Sequence, residues 1–312
     1  MTLSNIHRPH AIELPGSVYI RQFNRFATNR EYNLFRSRAN SAVAPQYSGV
    51  DEGNPAVEFS TPDIKTLWDF LNASGTSGLC IGYNTVNTGS IKIYYRKSKN
   101  RGFREALTDA VHNRFDMVNN GFLYWTQISA TQGSGNQAEV QATLKAISND
   151  GTNPMVHVGS STCPGDESVN GLYTLGPVKI NGSFIDAIQE SRLENNIDSD
   201  EIGEDGFAFP QYSDIAKWEP MATIETYDVT VMDTFEAPTA ITSFYQYFRK
   251  LQKNGIPYAN DEAVHLKITA TVGTVVATEG ANTPGRFTIQ AALDAASDAA
   301  PPFAINTAAA IT

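Results

Sequence analysis

The chain has 312 residues, 41% of them apolar and 18% charged, with 33 acidic against 23 basic side chains and a net charge of −10. That composition excludes a disordered chain, and an acidic balance argues against a nucleic-acid binder, which would be basic. Two cysteines (Cys80 and Cys163) without a CxxC, and five scattered histidines, exclude a disulfide framework and a structural zinc site.

The length suits two domains of about 150 residues each. Thr, Ser, Asn, Gly and aromatics are plentiful, which favours strands and turns over helices. The N-terminal MTLSNIHRPHAIELPG lacks the apolar region of a signal peptide. No apolar run approaches the ~20 residues of a membrane span. A soluble protein made in a cytoplasm is the expectation.

Residues 17–27 alternate apolar and polar and read as a strand. Residues 28–55 show little periodicity and read as a long loop. Val57 and Phe59 begin another strand. Thr61-Pro62-Asp63 then carries a helix start, with Thr as N-cap, Pro at the first helical position and Asp in the first turn. Ile64, Leu67, Trp68 and Leu71 follow on one apolar face. Strands are expected over 79–83 and 90–97, joined by NTVNTG, and a β-hairpin over 121–131 and 137–147, turning at GSGN. Residues 149–171 are rich in Gly, Pro, Ser and Asn and read as the linker.

A similar order follows. Residues 176–189 read as strand, turn at Asn181-Gly182, strand; 221–232 as an alternating strand. A second helix is expected from Pro238-Thr239, with the face Ile241, Phe244, Tyr245, Phe248 and Leu251. A second hairpin is expected over 264–278 and 285–293. The tail is Ala-rich, readable as a short helix plus an extended arm, or as a frayed end.

Pro45-Gln46-Tyr47-Ser48 recurs as Pro210-Gln211-Tyr212-Ser213, 165 positions on, with Pro55 and Pro220 at the same distance behind. Residues 14–20 resemble 175–180, Ile128–Gly133 resembles Ile268–Gly273, and Gln141–Ala146 resembles Gln290–Ala295. These matches point to a tandem duplication. Extending the gapless match pairs Asp63 with Asp228 and Phe70 with Phe235. Because Asp63 opens a helix and Asp228 falls in a strand-like run, those pairs read as coincidence. The fold class expected is mainly β (α+β): two tandem antiparallel β-sandwich or barrel domains, each with one flanking helix. The first copy would span 1–150 with its N-terminal arm, the linker 151–171, the second copy 172–296 and a C-terminal arm 297–312.

The two corresponding loops carry opposite charge. Residues 21–44 hold Arg21, Arg25, Arg30, Arg36 and Arg38 against Glu31, a net of +4. Residues 186–209 hold eight carboxylates, among them Glu194, Asp198, Asp200, Glu201, Glu204 and Asp205, against Arg192, a net of −7. Arg25, Arg30, Arg36, Arg38 and those six acidic residues are the candidate assembly loops, the basic loop of one repeat meeting acidic surface of the other and so fixing register.

The order of elements, the long loop after the first strand, the helix, the closing hairpin and the acidic charge together resemble the tail tube (major tail) proteins of long-tailed bacteriophages, over roughly 12–300. The resemblance is one of pattern, without a diagnostic motif. It implies a structural virion protein stacking as rings into a hollow conduit for DNA, three doubled chains making a pseudo-hexameric ring. It also implies partners among other tail proteins (terminator, tape measure, hub), DNA passing without specific binding, and a place in the virion tail after assembly in the host cytoplasm. No site residue carries over.

No catalytic motif competes with that reading. The acidic run 198–205 departs from an EF-hand loop, with Ile202 in the fifth position and Phe209 in the twelfth, though an irregular Ca²⁺ site stays open. Gly133-Ser134-Gly135 lies between strands with no helix to follow, unlike a phosphate loop. His157, Ser160, Ser161 and Cys163 lie together but in a linker, a poor place for a catalytic triad. Tyr94-Tyr95 and Tyr124-Trp125, on alternating strands, should each place one ring in the core and one at an interface. No enzyme, cofactor or metal is expected. The alternatives are a tail hub or other virion-associated protein, and a glycan-binding double β-sandwich.

Overall fold

The structure is a computed structural model that describes residues 7–29, 32–37, 47–73, 82–84, 90–98, 104–133, 136–148, 150–165, 171–203, 205–280, 285–297 and 300–312; over 32–37, 47–52, 72–73 and 82–84 only the backbone is described. The fold is mainly β, with antiparallel sheets and two short helices among the described residues. None of the described helices is long and apolar enough to cross a membrane.

The first half runs β1 (His7–Leu14), β2 (Val18–Ile20), β3 (Arg25–Asn29), β4 (Tyr32–Ser37), β5 (Tyr47–Gly53), β6 (Ala56–Thr61), α1 (Ile64–Ala73), β7 (Gly82–Asn84), β8 (Ile91–Lys97), β9 (Arg114–Val118), β10 (Asn120–Thr131), β11 (Glu139–Ile147) and β12 (Met155–Val158). The second runs β13 (Leu172–Ile180), β14 (Ser183–Ile185), β15 (Ile188–Glu194), β16 (Ile197–Ile202), β17 (Tyr212–Trp218), β18 (Met221–Thr226), α2 (Thr230–Phe235), β19 (Thr239–Ala240), β20 (Phe244–Leu251), β21 (His265–Ala270), β22 (Gly273–Glu279), β23 (Phe287–Leu293) and β24 (Ala304–Ala309).

The second half repeats the connectivity of the first, strand for strand. One sheet has the order β12-β9-β8-β1-β2 and its counterpart β24-β21-β20-β13-β14. The order β10-β11-β6-β3, with β7 beside β10, returns as β22-β23-β18-β15, with β19 beside β22. The hairpin β4–β5 returns as β16–β17 with the same register, Tyr32↔Gly53 becoming Ile197↔Trp218, and with a bulge at the same step. From β3 to β6 the offset is a constant 165, the spacing of the PQYS repeat. The 28–55 stretch therefore holds a hairpin rather than a featureless loop.

The two halves share one core. Its floor is the long sheet, its roof the two five-stranded sheets, and Trp68 of α1 lies against Trp125 of β10 with ring centroids 5.1 Å apart. The expected face of α1 is buried throughout: Ile64, Leu67, Trp68 and Leu71. The aromatic pairs divide between faces. Trp125 points into the core while Tyr124 stacks on Phe122 outside it, centroids 5.2 Å apart.

Several expectations are corrected. The helix read from Pro238-Thr239 is strand β20, central in its sheet between β13 and β21. Its Phe244, Tyr245 and Phe248 fit a helical spacing by residue type, but aromatics belong as readily to strands, and Gln246 and Tyr247 are buried between them. The second helix lies earlier, as α2, in the end of the stretch read as strand 221–232. β7 and β8 are not a hairpin: β7 pairs with β10, and β8 with β1 and β9.

Three of the sequence matches were out of register. Ile128 and Ile268 lie on β10 and β21, which do not correspond. Gln141 corresponds to Thr288 rather than Gln290, and the strands that match end at Leu14 and Ile180. The 151–171 stretch contains β12, paired with β9, and the 297–312 stretch contains β24, paired with β21.

Candidate assembly interface

The two halves meet edge to edge. β10 of the first pairs antiparallel with β15 of the second, Gln127↔Glu194 through Thr131↔Glu190. Alternation along the strands sends Ile128, Ala130, Ser191 and Leu193 into the core, all buried. Gln127, Ser129, Thr131, Glu190, Arg192 and Glu194 fall on the polar face. This seam makes the long sheet continuous.

Asn195 locks the seam where β10 bulges between Trp125 and Gln127. Its backbone N–H donates to the Thr126 carbonyl at 2.8 Å, its side-chain amide donates to the Trp125 carbonyl at 2.9 Å, and its Oδ1 accepts from Trp218 Nε1 at 2.7 Å. The side chain is fully buried, and these bonds satisfy amide and carbonyl alike.

The hairpin β16–β17 lies over β10–β11 on the face opposite the core. Ile197 and Ile215 cover Phe122, Tyr124 and Ile147. Lys145 of β11 donates to Ser199 Oγ at 2.8 Å and pairs with Glu201. Pro210 accepts from the Ser148 N–H, and Ala208 from the Gly53 N–H, each at 2.8 Å. Pro210 belongs to the second PQYS, so this copy of the repeat opens β17 where the hairpin docks.

Cations on the polar face of the long sheet are matched by carboxylates. Among the described residues, Arg25 faces Glu58 at 3.9 Å, Arg192 faces Glu194 at 3.4 Å, Arg286 pairs with Glu225 and Lys145 with Glu201. Glu139 accepts from Asn24 Nδ2 at 2.7 Å, and Glu190 adds a further carboxylate.

The expected loop residues are only partly brought together. Arg25 stands exposed on β3, with Glu58 as its partner. Arg36 lies on β4, where only the backbone is described; Arg30, Arg38 and Glu204 lie outside the described residues. Glu194 ends β15. Asp198, Asp200 and Glu201 lie on β16, with Asp198 and Asp200 exposed and Glu201 turned toward β11; Asp205 is exposed in the following turn. Among the described residues the acidic hairpin therefore meets Lys145 rather than the basic loop. Strand alternation puts Asp198 and Asp200 on the face opposite Glu201, so the three carboxylates do not converge.

Lys145 and Asn195 escaped the sequence reading. Asn195 is an uncharged side chain inside the acidic stretch, and Lys145 is a single cation on β11, outside the segment that the 165 offset covers.

Residues weighed for chemistry make contacts within the first half. His157 Nδ1 lies 2.7 Å from Asp116 Oδ1. Cys163 is buried beside Ala11 and Tyr94. Glu105, Asp109 and His112 offer ligand atoms within 4.8 Å of one another, but the Asp109 carboxylate is engaged within its own turn, accepting from the Val111 and His112 backbone N–H groups at 3.1 and 3.2 Å. Its hydrogen bond from the His112 ring, foremost, and those backbone bonds hold it below the usual carboxylate range.

Two strands end the long sheet. Among the described residues β3 pairs with β6 alone, and β22 pairs with β23 and, over Thr274 and Val275, with β19. No family model and no curated protein matches this chain.

Proposed function

We propose that the chain is a structural subunit of a phage tail tube, stacking as rings into a hollow conduit through which DNA passes into the host. The observation that carries this reading is the seam β10·β15. A unit that joins its own copy head to tail through two different edges is a unit that propagates, and propagation closes into a ring when the rotation divides a full turn. Doubling the unit within one chain makes three chains sufficient for six units.

The polar face supports the conduit. Each Lys or Arg that binds a phosphate releases counterions and holds the DNA; cations matched by neighbouring carboxylates, with carboxylates to spare, leave little to grip it. On this reading the protein resides in the virion tail, is assembled in the host cytoplasm, and meets the tail terminator, tape measure and hub. It works by shape and charge, without catalysis or cofactor.

A glycan-binding module is the weaker reading, because its best stacking platform, Phe122 and Tyr124, lies under β16–β17 with 7% of each residue exposed.

Electron microscopy of the purified protein across a concentration series tests the proposal. Hollow rings or tubes with three chains and six similar lobes are expected. A monodisperse monomer or dimer at every concentration would refute it.

A further inference from the structure

We infer that a second copy of this chain docks on the β22–β23 end of the first through β3 and the β4–β5 hairpin, in the register of the internal seam and with the charge of its flanking pair inverted. The inference rests on the assembly reading above and specifies the contact that reading requires.

The register follows from the repeat. Val140↔Thr61 corresponds to Phe287↔Thr226, so Gln127 corresponds to Thr278. Ala27↔Glu58 corresponds to Arg192↔Thr223, so Asn29 corresponds to Glu194. Gln127↔Glu194 within the chain thus becomes Thr278 against Asn29 of the second copy. Ile128↔Leu193 becomes Glu279 against Thr28, and Ser129↔Arg192 becomes Gly280 against Ala27. β19 covers Thr274 and Val275 as β7 covers Phe122 and Leu123, leaving the rest of β22 for the incoming strand, as β10 leaves its own for β15.

Exposure points the same way. Ile128 and Leu193 are fully buried at the internal seam, whereas their counterparts Glu279 and Thr28 are exposed. A groove of about 490 Å³ in the second half is lined by Thr174, Gly176, Asp186 and Ile188, and by Gln132 and Gly133 of the β10–β11 turn. The first half carries a groove of equal volume at the corresponding place, lined by Arg8, His10, Arg21 and Phe23, and no described residue of such a turn lines it.

The face beside the edge is open too. Phe122, Tyr124, Lys145 and Ile147, under β16–β17, correspond to Thr274, Val276, Ala292 and Asp294; of these Thr274, Ala292 and Asp294 are exposed and Val276 is half-buried. β4–β5 shares the register and the bulge of β16–β17, which puts Arg36 at the position of Glu201. Inside the chain a lysine of the sheet meets a glutamate of the hairpin. Between chains the position of Lys145 is held by Ala292, with Asp294 two residues along on the same exposed face. Arg36 holds the hairpin position of Glu201, so the charges brought near each other are an aspartate of the sheet and an arginine of the hairpin. The inverted sign keeps β16–β17 from taking the place of β4–β5.

The test is oxidative cross-linking of the full chain carrying Thr278→Cys and Asn29→Cys, beside a mis-registered Thr278→Cys/Arg25→Cys pair and the unmodified protein. Expected is a ladder of covalent oligomers on a non-reducing gel for the first pair alone, and covalent dimers only when the two single variants are mixed. Rings or tubes in the microscope without cross-linking of the first pair above the mis-registered one would overturn this junction and leave the tube reading standing. A monomer at every concentration, in the unmodified protein as well, would overturn both.

If the cysteine pair fails to fold, Asp294→Arg and Arg36→Asp serve instead. Each alone should raise the concentration for half-maximal assembly about threefold, the scale of an exposed ion pair, and the double reversal should restore it. A double variant no better than either single one would refute the charge inversion.

Discussion

Asp63 and Asp228, 165 residues apart, hold the same position at the start of the two helices. The Asp63 N–H donates to Thr61 Oγ1 at 3.0 Å, and the Asp228 N–H donates to Thr226 Oγ1 at 2.9 Å. Each carboxylate then accepts a threonine hydroxyl of the first turn, Thr66 at 2.7 Å and Thr230 at 2.6 Å. The pairing of Asp63 with Asp228, and of Phe70 with Phe235, is therefore part of the repeat and no coincidence. Phe70 and Phe235 lie in the same core.

These two aspartates predict an asymmetric loss. Asp63→Ala should cost about 2 kcal/mol, the upper end for a cap, because it also removes the hydrogen bond that the buried Thr66 hydroxyl donates to it. Asp228→Ala, at a half-exposed six-residue helix, should cost about 1 kcal/mol or less. Urea denaturation of both variants measures the order; a larger loss at Asp228 would contradict it.

Asp228 also predicts an acid limb. Burial raises its pKa, but hydrogen bonds from the Thr230 hydroxyl and from the backbone N–H groups of Asp186 and Thr230 outweigh that and hold it below the usual carboxylate range. A depressed folded pKa means that the unfolded chain binds the proton more readily. The stabilisation is then present above about pH 4 and lost as pH falls through the folded value. The difference in Tm between the native protein and Asp228→Asn should be full at pH 6 and shrink by pH 3. A difference constant across that range would show that the charge of Asp228 contributes nothing.

Phe303 predicts the role of the last segment. It is buried, with ring centroids 5.8 Å from Trp125 and 5.6 Å from Trp218, and β24 follows it in the sheet. Phe303→Ala should cost about 3–5 kcal/mol and expose Trp125, seen as a red shift of tryptophan emission. An unchanged spectrum and stability would place the segment outside the core.

Lys145 predicts how the acidic hairpin is held. Lys145→Glu puts like charges against Glu201 and should loosen β16–β17 without unfolding the sheet, read as faster amide exchange over 197–218 with exchange over β18 unchanged. Glu201→Lys in the same chain should restore protection. Exchange unaffected by Lys145→Glu would mean that Ile197 and Ile215 hold the hairpin alone.

The basic loop predicts a salt dependence. Reversing Arg30, Arg36 and Arg38 together should impair assembly more at low salt than at high salt, since exposed pairs are screened within about 10 Å at 0.1 M. Normal assembly at every salt concentration would remove charge from the account of docking.

Where local pattern decides structure, the sequence was legible. The helix start at Thr61-Pro62-Asp63, although Thr61 ends β6 and Asp63 rather than Thr61 stands at the cap, and the i, i+3, i+4, i+7 face of α1 need only neighbours in the chain. The β10–β11 hairpin and the turn at Asn181-Gly182 are equally local; Asn181 has φ +50° and Gly182 φ +87°, values that such a turn residue adopts at low cost. Local pattern misled where aromatics fit both periods, as along β20, and where a short helix follows a strand without a proline to mark it, as at α2.

By itself the sequence determined the β class, the helix α1 and the offset of 165 that the tetrapeptide Pro-Gln-Tyr-Ser announces. Only the tertiary structure decided that the offset runs unbroken from β3 through β6, that β10 and β15 join the halves, and that Asn195 and Lys145 secure the join. The physical reason is that strand pairing is made by backbone groups every residue carries. Which edge meets which is settled by burial between distant segments, here Ile128 against Leu193, and no window of neighbouring residues records it.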